Sequence, residues 1–394
     1  MRLLIIGNGI AGLTAADHFR KNDPDSDILL VGEEKSLTYW RTRLSHMLGK
    51  PDFQEGDLLV KDAAWYEERR IEVRTDTRIV RIDFEKHEAH AESGETLAYD
   101  KLLLATGAHP FVPPMTGSAK NGFFTLHGME DLRRVLAYLK GREHVVVIGG
   151  GLLGLEAAHG LVELGKTVRV LEFFPYLLPR QLDMALSRTV EAQLLKEGIT
   201  FSLGRSCQML LGEGNITGIR LDNGEEIPAD AVLCSTGVRP DLTLYQGSPL
   251  AMNRGIVVDD HMRTNLPDVF AAGDIAEYNG VVFGLWSAAL EHGKIAGTNL
   301  AGGDMMYSAP LMVSTLNLGN VKMFSAGTVA DPDSLITFND GKAFHRLFVK
   351  DGRVAGAVLT GDTGWMGKAR NLVVQKAEVP AGDGGNDHFR QIVK

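Results

Sequence analysis

Two stretches of this chain place glycines where a backbone must come close to a phosphate. Residues 2–16 read RLLIIGNGIAGLTAA and residues 144–158 read HVVVIGGGLLGLEAA, 142 positions apart. In each, an apolar run passes into G-x-G-x-x-G and then into a helix-like pattern, with Gly7, Gly9 and Gly12 in the first copy and Gly149, Gly151 and Gly154 in the second. The first glycine permits a tight strand-to-helix turn, the second lets the backbone approach a pyrophosphate, and the third lets helix and strand pack closely. The anion then meets free N–H groups at the positive end of a helix dipole. One such motif is a weak signal, because glycines at this spacing occur in ordinary loops. Two copies, each with strand, helix and a following acid, are a specific sign of two dinucleotide sites.

The acids extend the pattern. Glu33 and Glu34 follow the strand expected at 27–31, and Glu172 follows the one expected at 167–171. A carboxylate at this distance from the glycines accepts hydrogen bonds from a ribose diol. Glu172 suits a free 2′-hydroxyl and repels a 2′-phosphate, which favours NADH over NADPH; the nearby Arg169 lies within the strand and is not read as a phosphate ligand. Two residues after the third glycine the copies differ: Thr14 stands in the first and Glu156 in the second.

The elements that carry these groups contain a second repeat. SGETLAYDKLLLATGAHP (93–110) matches NGEEIPADAVLCSTGVRP (223–240) at an offset of 130, with Thr106/Thr236, Gly107/Gly237 and Pro110/Pro240 identical. The first fingerprint helix is expected to end near Asn22-Asp23-Pro24 and the second at Gly165, and Ser93-Gly94, Asn223-Gly224 and Asp351-Gly352 mark hairpin turns. After Pro240 the chain runs into RGIVVDDHMRTNLPDVFAAGDIAEYNG, which completes the first unit, so the second unit is inserted in the first. The expected architecture is α/β: two Rossmann-like dinucleotide-binding domains, at 1–108 with 241–305 and at 109–240, plus a small α+β domain at 306–394. Its strand-like FHRLFVKDGRVAGAVLTGD precedes a glycine-rich stretch at 381–387 read as a loose tail.

Bulk properties narrow the function classes. With 394 residues, 44% apolar and 23% charged, the chain has the composition of a globular protein of two or three domains. A net charge of −9 gives no basic footprint for nucleic acid or an anionic membrane. The apolar start, Met1 to Gly12, has one basic residue and no small-residue cleavage site, so it reads as a buried strand and not as a signal peptide. Cys207 and Cys234 are the only cysteines and fall in no paired-cysteine motif, which points to a reducing compartment and a cytoplasmic location. The twelve histidines are scattered, and no metal-ligand spacing stands out.

With these residues in hand, the chain resembles the flavoproteins with two dinucleotide-binding domains, the family of glutathione reductase and the ferredoxin reductases. Within it, the resemblance is closer to the NADH:rubredoxin reductases and to the FAD/NADH portion of the assimilatory nitrite reductase large subunit. It rests on the two fingerprints together with YWRTRLS (39–45), LLLATG (102–107), LEFFPYLLPRQLD (171–183), CSTGVRP (234–240) and VFAAGDIAEYNG (269–280). The resemblance implies FAD in the first unit and NADH in the second. It maps an FAD-binding aspartate onto Asp274 with Gly273 beside it, and a flavin-side arginine onto Arg41. Thr106 and Gly107 would lie by the FAD phosphates, Thr236 and Gly237 by the nicotinamide nucleotide, and Val80 joins the FAD-binding candidates. Glu34 aligns with the acidic ribose ligand, with Glu33 as the alternative. Trp286 falls where the family turns a helix N-terminus toward the flavin, or it is a core aromatic. Glu156 would face the flavin and nicotinamide rings. The family often pairs such a glutamate with a lysine in an L-S-K stretch; here the stretch is Leu44-Ser45-His46, leaving Arg43 or His46 as its partner.

The same resemblance makes the cysteines decisive. Disulfide reductases of this fold need a cysteine pair beside the flavin, and the peroxidase, oxidase and coenzyme A disulfide branches need one near 42–45; neither is present. The chain is therefore expected to be a stand-alone reductase passing electrons from NADH through FAD to a small acidic carrier, rubredoxin or ferredoxin. A local basic patch including Arg41 or Arg43 would receive that carrier. The alternatives are a reductase for a separate nitrite-reducing partner, an unassisted NADH oxidase, and an NADH-sensing flavin subunit without turnover.

Overall fold

The computed structural model describes residues 1–393. The expected α/β architecture is present, and the sequence repeat is repeated in the topology. One five-stranded parallel sheet runs in the order Val269–Ala271, Lys101–Leu104, Arg2–Ile6, Asp27–Val31, Ile71–Arg74. The other runs Phe123–Thr125, Ala231–Cys234, His144–Ile148, Thr167–Glu172, Ile199–Leu203. In both, the fingerprint strand is central, flanked by the strand before the acid on one side and the strand leading to Thr-Gly on the other. Strands buried on both faces are continuous apolar runs rather than alternating ones, which is how LLII and VVVI read. The edge strand Val269–Ala271 of the first sheet comes after every strand of the second, so the second sheet is an insertion.

Each sheet carries a satellite antiparallel meander, Ile79–Asp83 to Thr96–Ala98 on the first and Cys207–Leu211 to Glu226–Pro228 on the second, with the Ser93-Gly94 and Asn223-Gly224 turns where expected. The two Thr-Gly segments then pair with each other: Ala108 lies opposite Pro240, His109 opposite Arg239 and Pro110 opposite Val238. This short antiparallel ribbon is the double crossing between the halves.

The helix Ile10–Asn22 packs against the helix Trp286–Leu300 along a seam of small residues. A Cβ on Gly293 would stand 2.3 Å from the Ala11 carbonyl oxygen, and one on Gly297 would stand 2.2 Å from that of Ala15. That close approach brings the start of the later helix to the first fingerprint. The C-terminal piece is a five-stranded antiparallel sheet, with the Asp351-Gly352 hairpin between Phe344–Lys350 and Arg353–Thr360. It docks on the second half: Leu316, Leu318, Met323 and Phe348 join that half's core, Ser325 Oγ donates to the Gln181 carbonyl at 3.0 Å, and Arg346 pairs with Asp183.

The loose tail expected at 381–387 is not what forms. Its last residues begin a helix, Asn386–Val393, whose Phe389 is fully buried, and Asn386 and Gly384 bond to the strand Ser334–Asn339. The glycines misled because the apolar anchors Phe389 and Val393 lie beyond them.

Candidate functional site

The fingerprint glycines divide their work as their spacing implies. Gly7 has φ 120°, and a Cβ there would stand 2.1 Å from the Ala105 carbonyl oxygen; one on Gly12 would stand 2.1 Å from that of Gly7. In the second copy Gly149 has φ 115° and a Cβ there would stand 2.2 Å from Ser235 O, while one on Gly154 would stand 2.0 Å from Gly149 O. The middle glycines are the opposite. Nothing lies within 4 Å of where a Cβ on Gly9 or Gly151 would stand. Each is the N-cap of its helix, Ile10–Asn22 or Leu152–Glu163, with no side-chain cap bond and no acid in the first turn. An uncapped helix N-terminus facing open space beside a bare backbone is what a pyrophosphate requires. Both cradles fit a dinucleotide.

Around the first cradle, Asp274 sits in a turn, Gly273–Ile275, where Gly273 has φ 79° and room for no Cβ, since Ala11 Cβ would be 2.9 Å away. Burial pushes the Asp274 carboxyl up, with Arg41 alone opposing, and no donor from the described residues bonds it. Of the two candidate ribose acids, Glu34 is built into the site: it accepts from Tyr39 Oη at 2.6 Å and pairs with Arg41. Burial acts to raise its carboxyl, but Arg41 and the tyrosine outweigh burial and hold it below the usual range. Glu33 is exposed, with Arg78 Nε 3.8 Å from its carboxylate. Val80 is the odd residue of a bulge between Ile79 and Arg81, where strand pairing slips.

Thr106 and Thr236 spend their hydroxyls on the protein, the first with Tyr245 Oη at 2.9 Å and the second on the Phe111 carbonyl at 2.5 Å. The glycines beside them, Gly107 with φ 72° and Gly237 with φ 99°, face open space. Trp286 is the first residue of the helix Trp286–Leu300 and is stacked on Trp40, ring centroids 5.2 Å apart and 24° from parallel. In the second cradle Glu172 ends its strand buried; its oxygens accept from Gly150 N–H at 2.5 Å and Phe174 N–H at 2.8 Å. A carboxylate offers about four lone-pair positions, so two bonds leave capacity for a ribose diol.

Between the cradles lies Glu156. It accepts from Ser45 Oγ at 2.8 Å, and His46 Nε2 stands 3.8 Å from its other oxygen. Burial raises the carboxyl; the Ser45 bond and His46 partly offset this. Of the two partners open to Glu156, Arg43 is not placed beside it: its guanidinium lies 5.2 Å over the Trp40 ring, exposed. Arg41, expected in a basic surface patch, is instead drawn inward to Glu34 and the His127 carbonyl. Ser45, Tyr39 and Trp40 carried no assigned role in the sequence; Ser45 was signalled by the altered L-S-H stretch, the other two by nothing local. Asp259, Asp260 and His261 bring ligand-type atoms within 4.8 Å of one another, a consecutive cluster in which His261 already bonds Asp260 and Asp304. Among the described residues no helix is long and apolar enough to cross a membrane.

Two nucleotide cradles on twin sheets, with Glu156 of the second half reaching Ser45 of the first, define the class: a protein built to hold two dinucleotides. The chain belongs to the pyridine nucleotide-disulphide oxidoreductase family, whose model matches residues 1–293, and whose cofactors are FAD and NADH. Residues 313–377 match the rubredoxin NAD+ reductase C-terminal domain. The chain is 33% identical over 385 residues to the nitrite reductase [NAD(P)H] of Bacillus subtilis, covering 96% of this chain and 48% of that protein. It is 34% identical over 285 residues to the rubredoxin-NAD(+) reductase of Pseudomonas putida, covering 72% and 74% of the two. The crystal structure of NADH:rubredoxin oxidoreductase from Clostridium acetobutylicum superposes with a TM-score of 0.85 at 26% identity, covering 99% of each chain. The chain thus spans about half the length of the nitrite reductase it matches and nearly all of the rubredoxin reductase structure.

Proposed function

We propose that this chain takes electrons from NADH bound in the second cradle and passes them, through FAD bound in the first, to a small acidic iron-sulfur or iron carrier, rubredoxin before others. The observation that carries the reading is the contact of Ser45 with Glu156, 2.8 Å across the two halves, in the stretch where thiol-dependent relatives keep a cysteine. Both cysteines of this chain are buried elsewhere, and burial pushes the Cys207 thiol up to about 11 and raises that of Cys234. Neither is a thiolate at neutral pH, so no thiol relay stands between the cradles and an outside acceptor. On this reading 1–108 with 241–305 holds FAD, 109–240 holds NADH and 306–394 is the C-terminal domain.

The chain's own groups have defined tasks. The helix N-termini at Gly9 and Gly151 bind the pyrophosphates, Glu34 and Glu172 orient the riboses, and Asp274 accepts from the ribityl chain. Ser45 holds the Glu156 carboxylate where the two nucleotides meet, with His46 beside it. Bound FAD supplies the conversion between a two-electron donor and a one-electron acceptor. The exposed Arg43, on a chain of net charge −9, offers a local positive point for an acidic partner.

The test is the rate of carrier reduction by NADH with rubredoxin and ferredoxin in parallel across salt. kcat/KM for rubredoxin should exceed that for ferredoxin, fall as salt rises, and drop in Arg43→Glu. Rates that ignore both salt and Arg43 would remove the acidic-carrier reading. A second reading, a reductase module serving a nitrite-reducing partner, is favoured by the alignment over 48% of a nitrite reductase. It predicts that ferredoxin or such a partner outpaces rubredoxin.

A further inference from the structure

The first amides of a helix have no partner inside it and must find one elsewhere. At the start of the helix Met129–Tyr138, in the second half, the Asp131 carboxylate accepts from His127 N–H at 3.0 Å and from Gly128 N–H at 3.1 Å. The next amide is given to the other half: Met129 N–H donates to Tyr39 Oη at 3.2 Å. The Tyr39 hydroxyl in turn donates to Glu34 Oε2 at 2.6 Å. Burial raises that phenol, so it keeps its proton and remains a donor. Gly128 permits the approach, since a Cβ there would stand 3.1 Å from the same Glu34 oxygen. Arg41 repeats the bridge, pairing with the other Glu34 oxygen and donating to the His127 carbonyl. Both oxygens of the acid are thus held by groups that also bond the second half, while its side chain keeps 33% of its surface open.

We infer that Tyr39 is a positioning residue that couples the FAD site to the second half. Its hydroxyl passes the hold of the Met129 N–H, at the positive end of a helix, on to the acid that receives the FAD ribose. The inference rests on the reading that Glu34 binds the ribose of FAD, and it assigns a part in that site to a residue of the second half that touches no cofactor. Glu172 shows the contrast, since it is held by the backbone N–H groups of Gly150 and Phe174, both of its own half. Coupling between two binding equilibria is reciprocal, so a second half that orients Glu34 for FAD is itself held in place by FAD. The NADH cradle is then fixed most firmly against the first half when the flavin it must reduce is present.

The experiment strips FAD from the protein and measures its return by the quenching of FAD fluorescence, in wild type, Tyr39→Phe, Glu34→Gln and the double variant. Tyr39→Phe keeps the ring and loses the relay, so its Kd for FAD should rise about tenfold, and hardly at all in the Glu34→Gln background, because it acts through that carboxylate. A second pair moves the perturbation to the other half and serves also if Tyr39→Phe folds poorly. Met129→Ala trims the side chain and keeps the N–H. Met129→Pro lacks the N–H, at a first helical position that suits proline and after a Gly128 already extended at φ −122°, ψ 172°. FAD should bind several-fold more weakly to Met129→Pro than to Met129→Ala. In wild type, FAD should also slow hydrogen exchange at the Met129 amide. FAD affinity in Tyr39→Phe within about twofold of wild type would overturn the inference. So would equal effects of Tyr39→Phe in both backgrounds, equal affinity in the two Met129 variants, or a Met129 amide whose exchange ignores FAD. Wild type that takes up no FAD, or Glu34→Gln that binds it as wild type does, would instead sink the cofactor reading beneath it, leaving the two failures distinct.

Discussion

Gly9→Ala separates a folding glycine from a binding glycine. The Cβ it adds meets no protein atom within 4 Å, and Gly9 has φ −90°, which alanine adopts freely. Alanine is a poorer N-cap than glycine by less than about 1 kcal/mol, so the FAD-free protein should lose no more than that. The same Cβ would stand where the pyrophosphate must approach. Losing one charge-assisted bond from a helix N–H costs about 1.5–3 kcal/mol, which at 1.4 kcal/mol per decade is roughly a ten- to hundred-and-fifty-fold weaker FAD complex. Gly12→Ala is the converse control: its Cβ would stand 2.1 Å from the Gly7 carbonyl oxygen, a backbone atom that cannot swing away. It should destabilise the stripped protein by about 1–3 kcal/mol, the usual cost of overpacking. Urea unfolding of stripped protein and fluorescence titration with FAD measure the two quantities separately. The twin variant, Gly151→Ala, should leave FAD bound and raise the Kd for NADH by a similar factor. Wild-type FAD affinity in Gly9→Ala would refute the reasoning, since the open face of that glycine would then serve no ligand.

Three further outcomes are expected. Glu172→Gln removes the charge that opposes a 2′-phosphate, so the preference for NADH over NADPH in kcat/KM should shrink by about tenfold, one unit of differential charge interaction, and an unchanged ratio would count against the assignment. Because burial raises the Glu156 carboxyl above its ordinary 4.5, its charge is lost as pH falls through that raised value; the rate of NADH oxidation should show an acid limb there that Glu156→Gln abolishes and Ser45→Ala moves to higher pH, since Ser45 favours the charged form. His292 is buried edge-on to Phe283 and Tyr307, and burial pushes it down from 6.5 to about 4, so the unfolded chain binds its proton first. Stability from this group is full above pH 6.5 and is lost as pH falls toward 4, by roughly 3 kcal/mol, while His292→Phe should lack that part of the pH dependence in chemical unfolding.

What the sequence made legible was local. Gly7 and Gly149 need positive φ, Gly12 and Gly154 need a close backbone, and the Asn223-Gly224 and Asp351-Gly352 turns need residues that tolerate left-handed conformations; each is a constraint felt within a few residues. The insertion was legible for a different reason, because the repeats at 93–110 and 223–240 bracket the second fingerprint. Contacts between distant segments left no such mark. Trp40 meets Trp286 only because the chain returns to the first half after the insertion, and Ser45 meets Glu156 only because the two halves are joined by the ribbon of Ala108–Pro110 and Val238–Pro240. Arg41 read as a surface charge because nothing nearby in sequence told of His127, whose carbonyl draws it inward. The 381–387 stretch read as loose because its anchor, Phe389, acts on a strand some fifty residues earlier.

The central claim is that electrons from NADH leave this chain without a thiol on the way. It is tested most directly by anaerobic stopped-flow mixing of the FAD-loaded Cys207→Ser, Cys234→Ala protein with NADH, then with oxidised rubredoxin. The account predicts that NADH bleaches the flavin within seconds and that the carrier is reduced as the flavin colour returns, at rates equal to those of wild type. A flavin that stays oxidised in the folded, FAD-loaded protein, or a carrier left oxidised when the cysteines are gone but reduced when they are present, would contradict it.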